Sequence, residues 1–427
     1  EKPGQTGGMR LQLASPAEHS VIRDLPFDER LDDWSDPRMH RVLGLHRHVV
    51  RLIEFPEVSY VIKELPDHLV EREYRLLRRL AEEGLPTAEV VAAVTGKGSG
   101  VDGMLVTRHL DYSLPYRVLL SGRGLDIPYL GERVLDALVS LLVRLHLEGF
   151  FWGDCSLSNT LFRRDAGALS AYIIDTETAE WHDELTPGQR SLDLSIATEN
   201  VAGGLLDLQM GGQLRVDIDP WDVSLQVEHR YHALWDELTA PADVPAEATY
   251  EIEHRLRRLH DLGFDVEEME IVEAPDGNTE LIRVVPRVVE HGYPAHRLKN
   301  LTGLETTENQ ARRLLDDIHA FAGRLRGERA QQAEQAGRPP RPLSDNVAAV
   351  RWLDDRFEPI MDRIPIELFS KLEPVEIFHQ LLEHRWFKSE ETGNEVKIVD
   401  LIDDYIADVL VTAPDEFLRL DDGLATE

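Results

Sequence analysis

Apolar residues recur along the chain in two rhythms, and the change from one to the other marks out the elements. In RVLGLHRHVVRLIEFPEVSYVIKEL, Arg41 to Leu65, short runs rich in Val and Ile are broken at Gly44 and Pro56, which predicts strands of a small antiparallel sheet. The next segment, HLVEREYRLLRRLAEEGLP, spaces Leu69, Leu76, Leu77 and Leu80 among charges, the mark of an amphipathic helix that ends at Gly84 and Pro86. EVVAAV and GMLVTRHL, separated by the turn-like GKGSGVDG, read as two further strands. A long helix is predicted from Pro128 to Glu148, closed by Gly149, and two more over RSLDLSIATENVAGGLLDL and VSLQVEHRYHALWDEL. The composition shifts at TAPADVPAEA, residues 239–248, which predicts a domain boundary short enough to keep the two parts packed together. Beyond it the pattern predicts a helix over EIEHRLRRLHDLG, a hairpin near residues 269–289 around APDGNTE, and helices near 305–326, 346–357, 374–388 and 396–411. The polar, Pro-containing GERAQQAEQAGRPPRPLSDN between two of them is expected to be a loop. No internal repeat is evident.

Between two short apolar runs lies GFFWGDCSLSNTLFRRDAGALSAYIIDTETAEW, Gly149 to Trp181. Asp154 and Asn159 stand five residues apart in a loop after a helix, and Asp175 follows the strand-like AYII, which presents its carboxylate at a strand end. Hard oxygen donors of this kind suit Mg2+. Upstream, Lys63 ends the strand SYVIK, with Glu73 on the following helix placed to fix it by an ion pair. A cation for phosphates, metal ligands and a carboxylate to orient an attacking hydroxyl are what phosphoryl transfer from ATP asks of a protein. Each of these residues alone is most simply a solvated or capping side chain; the order and the strand, helix and loop settings together favour the chemical reading.

The succession VIK, EREYRLL, LHLEGFFWGDCSLSNTLF and IIDTE resembles the protein-kinase-like superfamily over roughly residues 40–240, and among its branches the bacterial lipopolysaccharide kinase and aminoglycoside phosphotransferase relatives, some of which carry a C-terminal domain of unknown function. The resemblance implies a two-lobed α+β kinase-like fold, a small antiparallel sheet plus helix (about 40–110) and a larger helical lobe (about 111–240). Together these form a catalytic domain over 9–240, with an appended mostly helical C-terminal domain over 241–427. It further implies Lys63 as the phosphate-binding lysine, Glu73 as its helix partner, Asp154 as catalytic base, Asn159 and Asp175 as metal ligands, and Asp193 as a buttress beneath the catalytic loop. Adenine is expected against the connecting segment near Arg108 and His109. The departures are instructive. No G-x-G-x-x-G precedes Lys63; Gly44 is followed by Leu45, His46, Arg47 and His48, whose side chains are candidates to replace backbone contacts to phosphate. Ser156 stands where the superfamily often has Lys or His, and Thr176-Glu177 replaces Phe-Gly after Asp175, adding an acidic neighbour to the metal. Only TAEWHDELTPGQ separates Asp175 from the next helix, too short for a peptide-docking segment. The implied activity is Mg-ATP-dependent phosphoryl transfer to a hydroxyl of a small-molecule or carbohydrate-like acceptor. The alternatives are a nucleotide-binding pseudokinase that senses or scaffolds a protein partner through the C-terminal domain, and an atypical protein kinase.

Composition narrows the remaining classes. With 427 residues, 42% of them hydrophobic, the chain can bury more than one core. Lys and Arg number 46 against 79 Asp and Glu, a net charge of −33, which repels nucleic acid and anionic lipid. A lone Cys155, no cysteine cluster for zinc, no apolar run long enough for a bilayer and no leader-like N-terminus lead to the expectation of a cytoplasmic protein without membrane insertion. EKPGQTGG, residues 1–8, reads as an expression remnant. Cys155 is expected to pack, not to react. His379 and His384 are five apart and face different sides of a helix, which favours capping or core roles over a metal. Arg283, Arg287, His296, Arg297 and Lys299 form a basic stretch that either pairs with the protein's own carboxylates or recognises an anion.

Overall fold

The computed structural model describes residues 8–42, 47–98, 101–120, 130–214, 217–239, 242–245, 268–273, 280–285, 293–339, 342–394, 396–413 and 415–416. The expected helix at 251–263, the turn at 274–279, and Gly44, Leu45, His46 and Arg287 lie outside them.

The small part is built on a six-stranded antiparallel sheet. Its strands are β1 (Arg10–Leu13), β2 (Met39–Arg41), β3 (Val49–Glu54), β4 (Ser59–Leu65), β5 (Val90–Thr95) and β6 (Gly103–Arg108), in the order β1-β5-β6-β4-β3-β2. Alternation along β4 sorts its side chains onto two faces. Tyr60 and Ile62 join Ile22, Leu25, Phe27, Leu31 and Trp34 on one face, while Leu65 packs on the other with Val70, Tyr74, Leu77 and Leu80 of helix α1 (Asp67–Glu82). Lys63 shares the register of Leu65 and so is delivered to the α1 side. The sheet therefore starts earlier than residue 40: β1 pairs with β5, and the segment around residues 22–34 covers its outer face. Short irregular runs with few β-formers hid this contribution.

The larger part contains β7 (Ser113–Pro115), α2 (Tyr116–Leu120), α3 (Leu130–Leu147), β8 (Phe150–Phe151), β9 (Thr160–Asp165), β10 (Ala168–Ile173), β11 (Glu180–Trp181), α4 (Pro187–Met210) and α5 (Pro220–Thr239). α3 is the centre of its core, burying Leu138, Leu141, Leu142 and Leu145. It stops where expected, because Gly149 takes a φ of +76 that a Cβ would not tolerate against the His182 carbonyl. β9 and β10 form a hairpin with Thr160 opposite Ile173 and Asp165 opposite Ala168.

The stretch expected as a plain boundary supplies β12 (Ala242–Pro245), an edge strand where Pro245 removes no ladder bond of a central strand; it pairs with β14 (Glu280–Val285), which also pairs with β13 (Glu268–Glu273). Helices α6 (Tyr293–Thr302), α7 (Glu308–Gln335), α8 (Asp345–Trp352), α9 (Glu358–Met361), α10 (Pro374–Thr392) and α11 (Ile402–Tyr405) complete the C-terminal part around Leu314, Ile318, Trp352, Phe378, Leu381 and Tyr405. α7 overruns the expected loop by nine residues, GERAQQAEQ, because Ala, Glu, Gln and Arg are good helix formers; it ends at Ala336, before Gly337 with a φ of +62. The C-terminal part grips the β9–β10 hairpin, and α3 beside it, through partly buried ion pairs. Arg163 reaches Glu373 at 2.5 Å, Arg164 reaches Glu416 at 2.5 Å, and Arg144 of α3 lies 3.4 Å from Glu308. The fold thus joins an N-terminal antiparallel sheet, a helical region and a helical C-terminal part.

Burial pushes the Glu416 carboxyl up to about 7 although Arg164 opposes the shift. Between its ordinary 4.5 and about 7 the folded chain therefore holds a proton that the unfolded chain releases, so this group's contribution to stability falls as pH rises through that window. Glu416→Gln keeps the size and an acceptor oxygen. Its melting temperature should depend less steeply on pH across this window than that of the wild type; an unchanged slope in melts taken at intervals over the window would contradict the assignment.

Candidate functional site

Two clusters meet where the sheet faces the larger part. The first is centred on Lys63. Its ammonium donates to Glu73 Oε1 at 2.9 Å and to Asp175 Oδ2 at 2.9 Å, with Glu177 Oε2 at 4.0 Å. Glu73 is fully buried, and burial pushes its carboxyl up to about 7 against the pull of Lys63; burial opposes the Lys63 charge, but Glu73 and Asp175 outweigh it and hold the amine cationic. Carboxylate oxygens of Glu73, Asp175 and Glu177 lie within 4.8 Å of one another. Three acids face one ammonium, and Glu73 Oε2 has no hydrogen-bond partner among the described residues. Such an oxygen-rich, net negative set fits a hard divalent cation. Glu177 also draws in the segment before β3: Arg47 Nη1 is 3.5 Å and His48 Nε2 3.3 Å from its carboxylate. Two of the side chains considered as substitutes for a glycine-rich loop, Arg47 and His48, thus bind an acid of the larger part.

The second cluster is the loop after β8. Asp154 accepts from Asn159 Nδ2 at 3.0 Å on one carboxylate oxygen and from Asn200 Nδ2 at 3.0 Å on the other. Asn200 also donates to the Cys155 carbonyl at 3.1 Å, pinning the loop to α4. Burial raises the Asp154 carboxyl, the two amides lower it, and the charge of Asp175 raises it again. Asn200 was not singled out by its spacing; the signal available was an Asn in the middle of a long helix, where its short amide competes with the backbone and is a poor helix former. Ser156 has turned inward, accepting from the Asn159 amide at 3.2 Å, so this position shapes the turn that presents Asn159.

Beneath the loop, fully buried Asp193 accepts from the amides of Trp152 at 2.7 Å and Gly153 at 2.9 Å and from His146 Nε2 at 3.0 Å, the place expected of a buttress. Trp152 carries the restraint onward: its indole N–H donates to the Asp175 carbonyl at 3.0 Å. The Asn159 carbonyl in turn accepts from the Ile174 amide at 3.2 Å, which ties the two clusters through the backbone.

Arg108 and His109 are not brought into either cluster. Arg108 ends β6 and His109 follows it; Arg108 lies 3.5 Å from Glu89 and the His109 amide donates to the Ser59 carbonyl at 2.8 Å, and burial keeps His109 below its usual range. They occupy the segment that connects the sheet to β7. Cys155 is fully buried, which drives its thiol well above the usual range and removes it from chemistry. His379 lies 3.3 Å from Glu383, and His384 packs toward Tyr405, so the two histidines share no site. Lys299 pairs with Glu305 at 3.0 Å, the self-neutralised outcome for that part of the basic stretch. Among the described residues no helix is long and apolar enough to cross a membrane.

Residues 38–194 match the Lipopolysaccharide kinase (Kdo/WaaP) family, and residues 233–410 match the Domain of unknown function (DUF4032). No curated protein matches the chain. Among solved structures the chain is similar to WaaP in complex with acyl carrier protein, at 19% identity over 59% of this chain and 99% of that one with a TM-score of 0.36. It is also similar to an aminoglycoside-3'-phosphotransferase of type VIII, at 17% identity over 47% of this chain and 88% of that one with a TM-score of 0.31. The chain thus joins a domain of the lipopolysaccharide kinase (Kdo/WaaP) family to a C-terminal DUF4032 domain.

Proposed function

We propose that this chain is an ATP-dependent phosphotransferase that moves the γ-phosphoryl group to a hydroxyl of a small-molecule or carbohydrate-like acceptor. The observation that carries the reading is the Lys63 ammonium held between Glu73 and Asp175 at 2.9 Å each, beside a loop in which Asn159 and Asn200 orient Asp154. In this reading Lys63 holds phosphate oxygens, and Glu73 fixes the direction of its ammonium. Arg47 and His48 sit on the Glu177 side, where they can contact anionic substrate. Asp154 receives the proton of the acceptor hydroxyl as that oxygen bonds to phosphorus and the bond to the ADP oxygen breaks, with charge developing in a site already ordered by fixed donors. Asn159 and Asp175 would hold Mg2+, with Glu177 next to it, and the ion would offset phosphate charge. In this reading adenine lies against the connecting segment at Arg108 and His109. The short link between Asp175 and α4 favours a small acceptor over a peptide, and the net charge of −33 with one buried cysteine agrees with a cytoplasmic setting.

Titration calorimetry with Mg·ATP beside single-turnover assays against a panel of sugars and small alcohols tests the reading. Asp154→Asn should leave nucleotide affinity nearly intact and lower the rate by about two to four powers of ten, the scale of a positioned acid or base. Asp175→Asn and Lys63→Ala should weaken Mg·ATP binding as well as turnover. Asn200→Ala should lower turnover by roughly tenfold with nucleotide affinity unchanged, since it acts only on the orientation of Asp154. Tight Mg·ATP binding with no turnover of any acceptor or of water would favour a sensor or scaffold instead.

A separate expectation concerns the loop's support. Asp193→Ala leaves a buried amide, a partly buried amide and a buried histidine without their acceptor, and should destabilise the chain by about 3–5 kcal/mol, the scale of a broken buried charged network. Denaturant melts would measure it, and a loss below about 1 kcal/mol would show that the buttress is dispensable.

A further inference from the structure

The β9–β10 hairpin has one end in the nucleotide site and the other inside the C-terminal domain. Asn159 immediately precedes β9 and Asp175 lies two residues past β10, with the Asn159 carbonyl accepting from the Ile174 amide at 3.2 Å. Six antiparallel rungs away, at a span of about 20 Å for six residues of strand, the hairpin turns through Ala166 and Gly167, both at positive φ. Asp165, the last residue of β9, is 2% exposed. One of its carboxylate oxygens accepts from the Thr307 hydroxyl at 2.5 Å and the Gln310 amide at 2.9 Å; the other accepts from the Ser170 hydroxyl at 2.7 Å. Thr307 and Gln310 open α7, a helix of 28 residues. The carboxylate that satisfies this helix start is therefore supplied by the catalytic half, where it also meets the positive end of the helix dipole. Gln310 extends the lock sideways, donating from Nε2 to Glu373 at 2.6 Å and Glu376 at 3.0 Å at the start of α10, while Glu376 accepts from the Ala166 amide at 3.3 Å.

We propose that Asp165 is a positioning residue for the nucleotide site: its lock onto the α7 start fixes the hairpin that spaces Asn159 from Asp175, so that Mg·ATP affinity and docking of the DUF4032 domain are linked. The proposal rests on the Mg·ATP reading above. A hydrogen-bonded ribbon transmits an anchor at its turn to the residues at its open end, since a shift of either strand would break the pairing rungs or separate Asn159 from Ile174. Asp165 touches no reacting group, and its effect passes through β9 and β10. Linkage makes the effect reciprocal: whatever the lock contributes to nucleotide affinity, bound nucleotide returns to the lock.

The test uses the full chain and Mg·ATP itself. In wild type, amide hydrogen exchange at Gln310 and Ala311 should slow when Mg·ATP is added, a response at the far end of the hairpin that a merely structural contact would not give. Asp165→Asn and Thr307→Val should each weaken Mg·ATP binding by roughly tenfold in calorimetry, within the usual range of coupling between sites, and should abolish the nucleotide effect on exchange. Thr307→Ser, which keeps the hydroxyl, should behave as wild type. The exchange measurement on wild type needs no variant, so a variant that fails to fold does not shield the idea. Normal binding by both disrupting variants, or exchange at Gln310 indifferent to bound nucleotide, overturns the linkage alone; a wild type that binds no Mg·ATP overturns the linkage and the nucleotide reading together.

Discussion

The arrangement depends on one half-buried ammonium. Lys63 comes from the sheet, Glu73 from α1 and Asp175 from the end of the β10 segment, and the three converge only if the sheet packs on α1 and the small part closes on the large one. An ion pair this deep contributes little net stability, because desolvating the charges offsets most of their attraction, but losing one partner leaves the others exposed to the full penalty. The interaction therefore specifies relative placement more than it adds stability. Its unbalanced negative charge is what gives the site its chemical direction, since three carboxylates around one cation hold an affinity for positive charge in reserve.

Around that point the larger part is organised as successive supports. Asp193 holds the two amides that begin the loop, Trp152 hands the restraint to the backbone of Asp175, and Asn159 and Asn200 clasp Asp154 from opposite sides. Each support reaches a backbone group or a carboxylate within hydrogen-bonding distance, so the loop is held from several sides without a disulfide. Ser156 belongs to this system. A residue that interrupts the usual superfamily pattern has become part of the turn, and the geometry it stabilises is that of Asn159.

Much of this was legible because it depends on local rules. The period of two along SYVIKEL, followed by the 3.6-residue period of the next helix, places Lys63 and Glu73 on facing sides, and Gly149 marks a helix end that only a left-handed backbone completes. The five-residue gap between Asp154 and Asn159 spans a single loop. What the sequence concealed depends on distant pairing. Asn200 is 41 residues beyond Asn159, in a helix whose pattern shows no reason for it, and Asp165 looks like an ordinary solvated turn residue until a helix start from the other half of the chain is set against it. The two arginines of RRD at the end of β9 have the same character: charges on a hairpin read as surface, whereas here Arg163 and Arg164 are partly buried against Glu373 and Glu416. The strand in the linker and the extra turns of α7 were missed for a simpler cause, a Pro-containing edge and a polar helix that both resemble loop.

The outer covering of the sheet carries a consequence of its own. The family match begins at residue 38, yet Ile22, Leu25, Phe27, Leu31 and Trp34 shield Tyr60, Ile62, Val91, Val94 and Val106, and β1 occupies the free edge of β5. A fragment cut at the family boundary would present an unpaired strand edge beside a bare apolar sheet, the combination that recruits neighbouring chains. The smallest unit that keeps its sheet covered is thus larger than the unit that family likeness delimits, and for this chain homology and structural completeness draw their borders in different places.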